Sequence, residues 1–138
     1  LKVRRTYLNR QGNALQGNTF RQNDLIVVRL SIETLDGSRL ENVVVSDILP
    51  AGFEIEHPRL GSVPELGWIT NAGTPDHLDL RDDRIHFFTT ASGTPTYFYY
   101  MVRAVSPGRF KVGLLSADAM YNGDYHSYYG SGFIRVLK

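Results

Sequence analysis

The sequence predicts an all-β chain, an antiparallel β-sandwich with at most one short helical turn. Three observations carry this. Apolar residues alternate with a period of two, as on a strand with one wet face, along most of the chain. Turn residues punctuate it at roughly 8–12-residue intervals, which sets out about eight short strands. No window of a dozen residues carries an apolar stripe at helical spacing.

The elements follow in order. Residues 2–8 open the chain as a strand. Residues 25–33 place Val28, Leu30 and Ile32 on one face and Arg29, Ser31 and Glu33 on the other. Residues 42–49 are rich in β-branched Val43, Val44 and Val45, which suit a pleated sheet. Residues 53–57 alternate Phe, Glu, Ile, Glu and His, with Phe53 and Ile55 inward. Residues 77–81 and 84–89 flank Asp82-Asp83, a two-residue hairpin turn. Residues 96–105 form the longest strand; Tyr97 and Tyr99 fall on one face, Phe98 and Tyr100 on the other, so both faces are packed. Ser106-Pro107-Gly108 turns the chain into 109–115, with Pro setting φ and Gly accepting a positive φ. Residues 133–137 close the chain as its last strand. Residues 116–121 are the candidate helical turn, and 61–75 form a long loop that can pin Trp68 onto the sandwich.

Composition narrows function. In 138 residues, 15 Lys and Arg oppose 14 Asp and Glu, for a net charge of +1. That balance argues against nucleic acid as a partner. No apolar run approaches the ~18 residues of a membrane span, so no membrane contact is expected of this chain. The absence of cysteine excludes disulfides, thiolate metal sites and a cysteine nucleophile. The first residue is Leu1 with no signal-like stretch after it, the mark of a piece of a longer or processed protein.

The chemistry-bearing residues resolve mostly into structural readings. His57, His77, His86 and His126 lack metal-ligand spacing, and His86 alternates with Ile85 and Phe87, which turns it to solvent. Asp76, Asp79, Asp82 and Asp83 lack a calcium-loop pattern and are interleaved with Arg81 and Arg84, so local ion pairs on a solvated hairpin are expected. Gly130-Ser131-Gly132 is not a nucleophile elbow but a flexible junction before the last strand. Glu54 and Glu56 share one strand face rather than opposing each other across a cleft. No catalytic residue, metal or cofactor is expected.

The tyrosines carry more. There are eight, and Met120, Tyr121, Tyr125, Tyr128 and Tyr129 crowd into one short segment with an Asn-Gly turn signal. Such a segment reads as a loop whose aromatics either fold back on the sandwich or form a contact surface, which includes stacking on a sugar.

Four motifs, in order, resemble a known family. They are Val45-Ser46-Asp47-Ile48-Leu49-Pro50-Ala51-Gly52-Phe53-Glu54-Ile55-Glu56, then Asp82-Asp83-Arg84 before an aromatic strand, then the run from Tyr100 to Phe110, then Ser116-Ala117-Asp118-Ala119-Met120-Tyr121. Together they resemble the C-terminal macroglobulin-like domain, of MG10 type, of bacterial α2-macroglobulins. The first motif also has its own physics. Pro50 cannot donate to a ladder and Gly52 accepts a positive φ, so the strand ends there and turns. Asp-x-Leu-Pro-x-Gly is shared with immunoglobulin-like repeats of bacterial surface proteins, and the Met120-Tyr121 segment discriminates better.

The resemblance implies a macroglobulin/immunoglobulin-like sandwich, residues 1–138, forming one non-catalytic domain of a protease trap. Members are large periplasmic proteins, often lipid-anchored, here to the inner membrane. Many hold an internal Cys–Gln thioester that acylates a protease after a bait region is cut. This domain would dock on the thioester domain of its parent chain, with Met120 and Tyr121 as the shield that keeps the bond dry, and target proteases would be met through the parent. Gly123 stands where many members have Pro, and the Tyr-rich continuation through Tyr125, Tyr128 and Tyr129 departs from the pattern. Two other readings remain at this stage: a surface adhesion or carbohydrate-binding module using the Tyr-rich loop 121–129, and a passive spacer.

Overall fold

The computed structural model describes residues 1–15, 17–56, 66–121, 123, 125–130 and 132–138. Twelve strands are found among them, and no α-helix: β1 (Lys2–Leu8), β2 (Thr19–Arg21), β3 (Leu25–Glu33), β4 (Leu40–Ile48), β5 (Phe53–Ile55) and β6 (His77–Leu80), then β7 (Arg84–Ala91), β8 (Thr96–Ala104), β9 (Gly108–Lys111), β10 (Leu115–Ala119), β11 (His126–Tyr129) and β12 (Phe133–Leu137). They form a four-stranded sheet ordered β1-β3-β8-β5, a five-stranded sheet ordered β11-β10-β4-β7-β6, and a three-stranded sheet ordered β2-β12-β9. The strand pairings are antiparallel except β2 with β12, which is parallel.

Alternation builds the core. Val28, Leu30 and Ile32 of β3 meet Val43 and Val45 of β4, Phe87 of β7, and Phe98 and Tyr100 of β8. The Phe87 and Phe98 rings stack with centroids 4.7 Å apart. Each such side chain contributes roughly 1.5–3 kcal/mol by leaving water. The three-stranded sheet turns Phe20, Ile134 and Val136 into the same core and so closes one end of the sandwich. Tyr7, Phe20 and Phe53 pack edge-to-face there.

Strand β8 packs on both faces, as its pattern predicts. Its outer face joins Tyr99 and Met101 to Leu8, Val27 and Leu66 in a second cluster. Trp68 lies on Tyr99 and donates its indole N–H to the Arg10 carbonyl at 2.6 Å, so the long loop does pin its tryptophan to the sheet. A methyl group at Gly12 would lie 2.9 Å from that indole ring, which is why no side chain stands there.

Several expectations are corrected. The strands number twelve rather than about eight. Residues 116–121 are not a helical turn: Leu115, Ala117 and Ala119 alternate inward as β10, between β4 and β11. The strand expected over 109–115 stops at Lys111, because the chain must then pass so close to the Ile48 carbonyl that only Gly113 fits. Residues 126–129 are not loop but the edge strand β11. Gly52 has no positive φ; it is needed because Phe110 lies flat on it, 2.4 Å from where a Cβ would sit. Gly108 does adopt a positive φ, of 140°. The strand expected over 53–57 ends at Ile55 in β5, Glu56 follows outside it, and His57 lies outside the described residues.

Candidate functional site

The structure separates the five residues of the Tyr-rich segment into three settings. Met120 and Tyr121 stand at the tip of the β10–β11 hairpin. Strand β10 is held on both sides, by β4 and by β11. At its end the Ala119 N–H donates to the Tyr125 carbonyl at 3.1 Å, and the Met120 N–H donates to the Asn42 carbonyl at 2.9 Å. Asn42 has a φ of 57° at the register shift between Leu40 and Val43, which turns its carbonyl out of the β4–β7 ladder toward β10. The backbone at the tip is therefore anchored from two elements, yet its side chains project. Met120 is 47% exposed and Tyr121 85% exposed. Tyr121 makes no hydrogen bond to any described residue.

Tyr125 folds back. Its ring packs on the core and its hydroxyl donates to Asp36 Oδ2 at 2.9 Å. Asp36 also accepts the Ser38 N–H at 2.9 Å. Hydrogen bonds from Ser38, and then from Tyr125, hold its carboxyl below the usual carboxylate value. Tyr128 and Tyr129 lie on β11, Tyr128 at 57% exposure, with the Arg4 guanidinium 5.2 Å from the Tyr129 ring centre. They line one wall of an open cleft of about 850 Å³ whose other walls include Arg4, Tyr7, Asn18 and Phe133.

A buried polar network lies beneath that cleft. Arg5 Nε donates to Asp47 Oδ1 at 3.0 Å and Oδ2 at 3.3 Å, and its Nη2 donates to Asp47 Oδ1 and to the Gly113 carbonyl, the latter at 2.8 Å. Tyr100 Oη donates to Asp47 Oδ2. The network ties β1 and β8 of one sheet to β4 of the other. Burial pushes the Asp47 carboxyl upward, opposed by the Arg5 charge and the two donors. Burial also pushes the Tyr7 hydroxyl up to about 12. This network was not among the candidates from sequence, although the sequence carries its signal: Asp47 has the same strand parity as Val43 and Val45, and so points inward with them.

The remaining candidates are accounted for by their contacts. Arg81 pairs with Asp79 at 3.1 Å and Arg84 with Asp83 at 3.1 Å, the local ion pairs expected on the β6–β7 hairpin. Glu56 pairs with Arg103 at 2.6 Å. His86 is half-buried, its Nδ1 2.6 Å from Ser46 Oγ, rather than turned fully to solvent. His77 lies against Phe88, and His126 against Tyr128. Among the described residues no three His, Asp or Glu side chains converge as a metal site would require. Ser131 lies outside the described residues.

Sheets packed face to face on one core, with an exposed aromatic at a hairpin tip, define a macroglobulin-like β-domain. The chain belongs to the family described as the bacterial alpha-2-macroglobulin MG10 domain, whose model matches residues 1–124. It is 29% identical over 132 residues to an alpha-2-macroglobulin of Xylella fastidiosa, an alignment covering 88% of this chain and 8% of that protein. With the Escherichia coli alpha-2-macroglobulin it shares 27% identity over 133 residues, again 88% of this chain and 8% of the relative. The chain thus spans a small fraction of the length of the curated relatives it matches. Its fold superposes on native E. coli alpha-2-macroglobulin, from domain MG7 to the C-terminus, with a TM-score of 0.87 at 23% identity over 99% of this chain and 23% of that one. The crystal structure of Salmonella alpha-2-macroglobulin reacted with methylamine gives a TM-score of 0.84 at 25% identity, covering 99% of this chain and 9% of that one.

Proposed function

We propose that this chain is the domain of a bacterial protease-trapping α2-macroglobulin that covers the parent's thioester, with Met120 and Tyr121 lying over the bond. The single observation that carries the reading is Tyr121. A tyrosine 85% exposed, directly after a Met120 whose N–H is held by the Asn42 carbonyl of the neighbouring strand β4, is an aromatic held out for a partner. A relative that reacts with methylamine supports an electrophilic acyl group in such parents.

The chemistry requires a dry lid. A thioester carbonyl is attacked by an amine or by water, and the thiolate leaves in either case. Premature attack by water spends the bond, so an apolar cap that keeps water from the carbonyl preserves it until a protease arrives. Met120 supplies a polarisable, adaptable surface and Tyr121 a large flat one. This chain has no cysteine, so the thioester stands elsewhere in the parent and the contribution here is steric, not catalytic. On this reading the parent is periplasmic and anchored to the inner membrane, and cleavage of its bait region swings the domain aside.

The test is methylamine uptake by the full parent, read by intact mass, in wild type and in the Met120→Ala, Tyr121→Ala double variant. Slow uptake in wild type and fast uptake in the variant supports the lid. Equal uptake in the two proteins, or none in either, overturns it.

A further inference from the structure

We propose that the solvent face of the three-stranded sheet β2-β12-β9 is a docking surface for an acidic polypeptide segment, with a carboxylate seated between Arg109 and Arg135. Strand parity puts Arg21, Arg109, Lys111 and Arg135 on this face, opposite the core-facing Phe20, Ile134 and Val136. The three strands contain no Asp or Glu, and none of these four cations is in an ion pair with a described residue. The β6–β7 hairpin is the contrast: there both arginines have an aspartate at 3.1 Å. A chain of net charge +1 has thus gathered four uncompensated cations on one small sheet.

The register sharpens the point. Arg135 of β12 lies directly opposite Arg109 of β9, with Thr19 of β2 on its other side. Like charges directly opposite on neighbouring strands destabilise a sheet. The pair has no carboxylate partner among the described residues, so a negative group from outside is the missing complement. Between the two arginines is a hollow of about 380 Å³ lined by Asn18, Thr19, Phe133 and Ile134. Arg109 sits over Phe133, its Cζ 4.0 Å from the ring centre, and both side chains line the hollow. A planar carboxylate is the matching group, because two N–H donors of a guanidinium meet its two oxygens in parallel.

The face is neither purely polar nor large. Phe133 is 42% exposed and Leu137 43% exposed among the cations. A segment with alternating acidic and apolar side chains satisfies both, whereas a nucleic-acid phosphate backbone leaves Leu137 unmatched. The longest strand here has five residues, about 17 Å, which suits one extended segment. The curated relatives carry this unit as 8% of their length, so polypeptide neighbours are abundant.

Fluorescence anisotropy of the 138-residue chain with a labelled decapeptide of alternating glutamate and tyrosine tests this. Saturable binding is expected, weakening with added salt. Arg109→Gln with Arg135→Gln should weaken it roughly tenfold or more, the equivalent of one charge-assisted hydrogen bond lost. Both arginines are exposed, and the double variant should melt at or above the wild-type temperature, which separates lost binding from lost fold. Arg81→Gln with Arg84→Gln should leave binding unchanged. No binding, equal affinity in the Arg109/Arg135 variant, or equal affinity for a glutamine–tyrosine peptide overturns the proposal. So does tighter binding to a single-stranded oligonucleotide or to vesicles one-third phosphatidylglycerol.

Discussion

Replacing Arg5 by Leu should unfold a large share of this protein at moderate urea, and the size of the effect follows from what Arg5 leaves behind. Asp47 is 1% exposed and accepts from Arg5 through both oxygens. Without Arg5 the carboxylate keeps a single donor, Tyr100, and the Gly113 carbonyl loses its Arg5 donor. Removing one partner of a buried ion pair costs about 3–5 kcal/mol. At roughly 3–4 °C per kcal/mol for a chain of this size, the thermal midpoint should fall by about 10–20 °C. Urea melts at pH 7 measure the loss directly. The deficit should shrink in acid. Arg5 is what holds the Asp47 pKa down against burial, so in Arg5→Leu that pKa rises further. A raised carboxylate pKa gives stability that is present below the unfolded value and lost as pH rises through the folded one. Arg5→Leu combined with Asp47→Leu and Tyr100→Phe, which removes the ion pair and the Tyr100 hydroxyl together and leaves only the Gly113 carbonyl without its donor, should lie within about 1–2 kcal/mol of wild type. A loss under about 1 kcal/mol for Arg5→Leu, a pH-independent deficit, or additive effects in the combined variant would refute the reasoning.

Three further outcomes are expected. Tyr7 is held at about 12 and Tyr100 well above its usual 10.0, so an ultraviolet titration should show part of the tyrosine ionisation delayed; the Tyr7 contribution to stability is complete below pH 10.0 and lost as pH rises through about 12. Gly52→Ala places a Cβ 2.4 Å from Phe110 Cε2 and should cost about 1–3 kcal/mol in urea melts, with part recovered by Phe110→Leu. Asp36 titrates below 3.8, so its support of Tyr125 is present above that value and fades as pH falls through the lower folded one; proton NMR of the Tyr125 ring should report that step, and Asp36→Asn should abolish it.

The sandwich was legible wherever one face of a strand is apolar and the other is not. Strand β3 is the clearest case, and the β6–β7 hairpin declared itself through Asp82-Asp83. What escaped has physical reasons. Strand β10 is written in Ala, Ser and Asp, whose small side chains give a weak period, and β11 has no apolar alternation because it is an edge with three exposed residues. The role of Gly52 depends on Phe110, 58 residues later, and no local pattern encodes that contact. Met120 and Tyr121 stand together at the hairpin tip, while the tyrosines around them were grouped by sequence proximity that the strand geometry breaks apart. The cationic sheet face was invisible for the same reason: Arg21, Arg109 and Arg135 are neighbours only after β12 has been laid between β2 and β9.

That last placement governs how the chain comes into being. Strand β12 pairs Arg135 with Thr19 and Val136 with Phe20, so the lid of the core is assembled from the two extremes of the sequence. Phe20, Ile134 and Val136 cannot bury one another until residue 136 has been made and brought back beside β2, and the closure entropy of so long a loop falls due in one late step. Until then the apolar ends of both main sheets stay open to water and to other nascent chains.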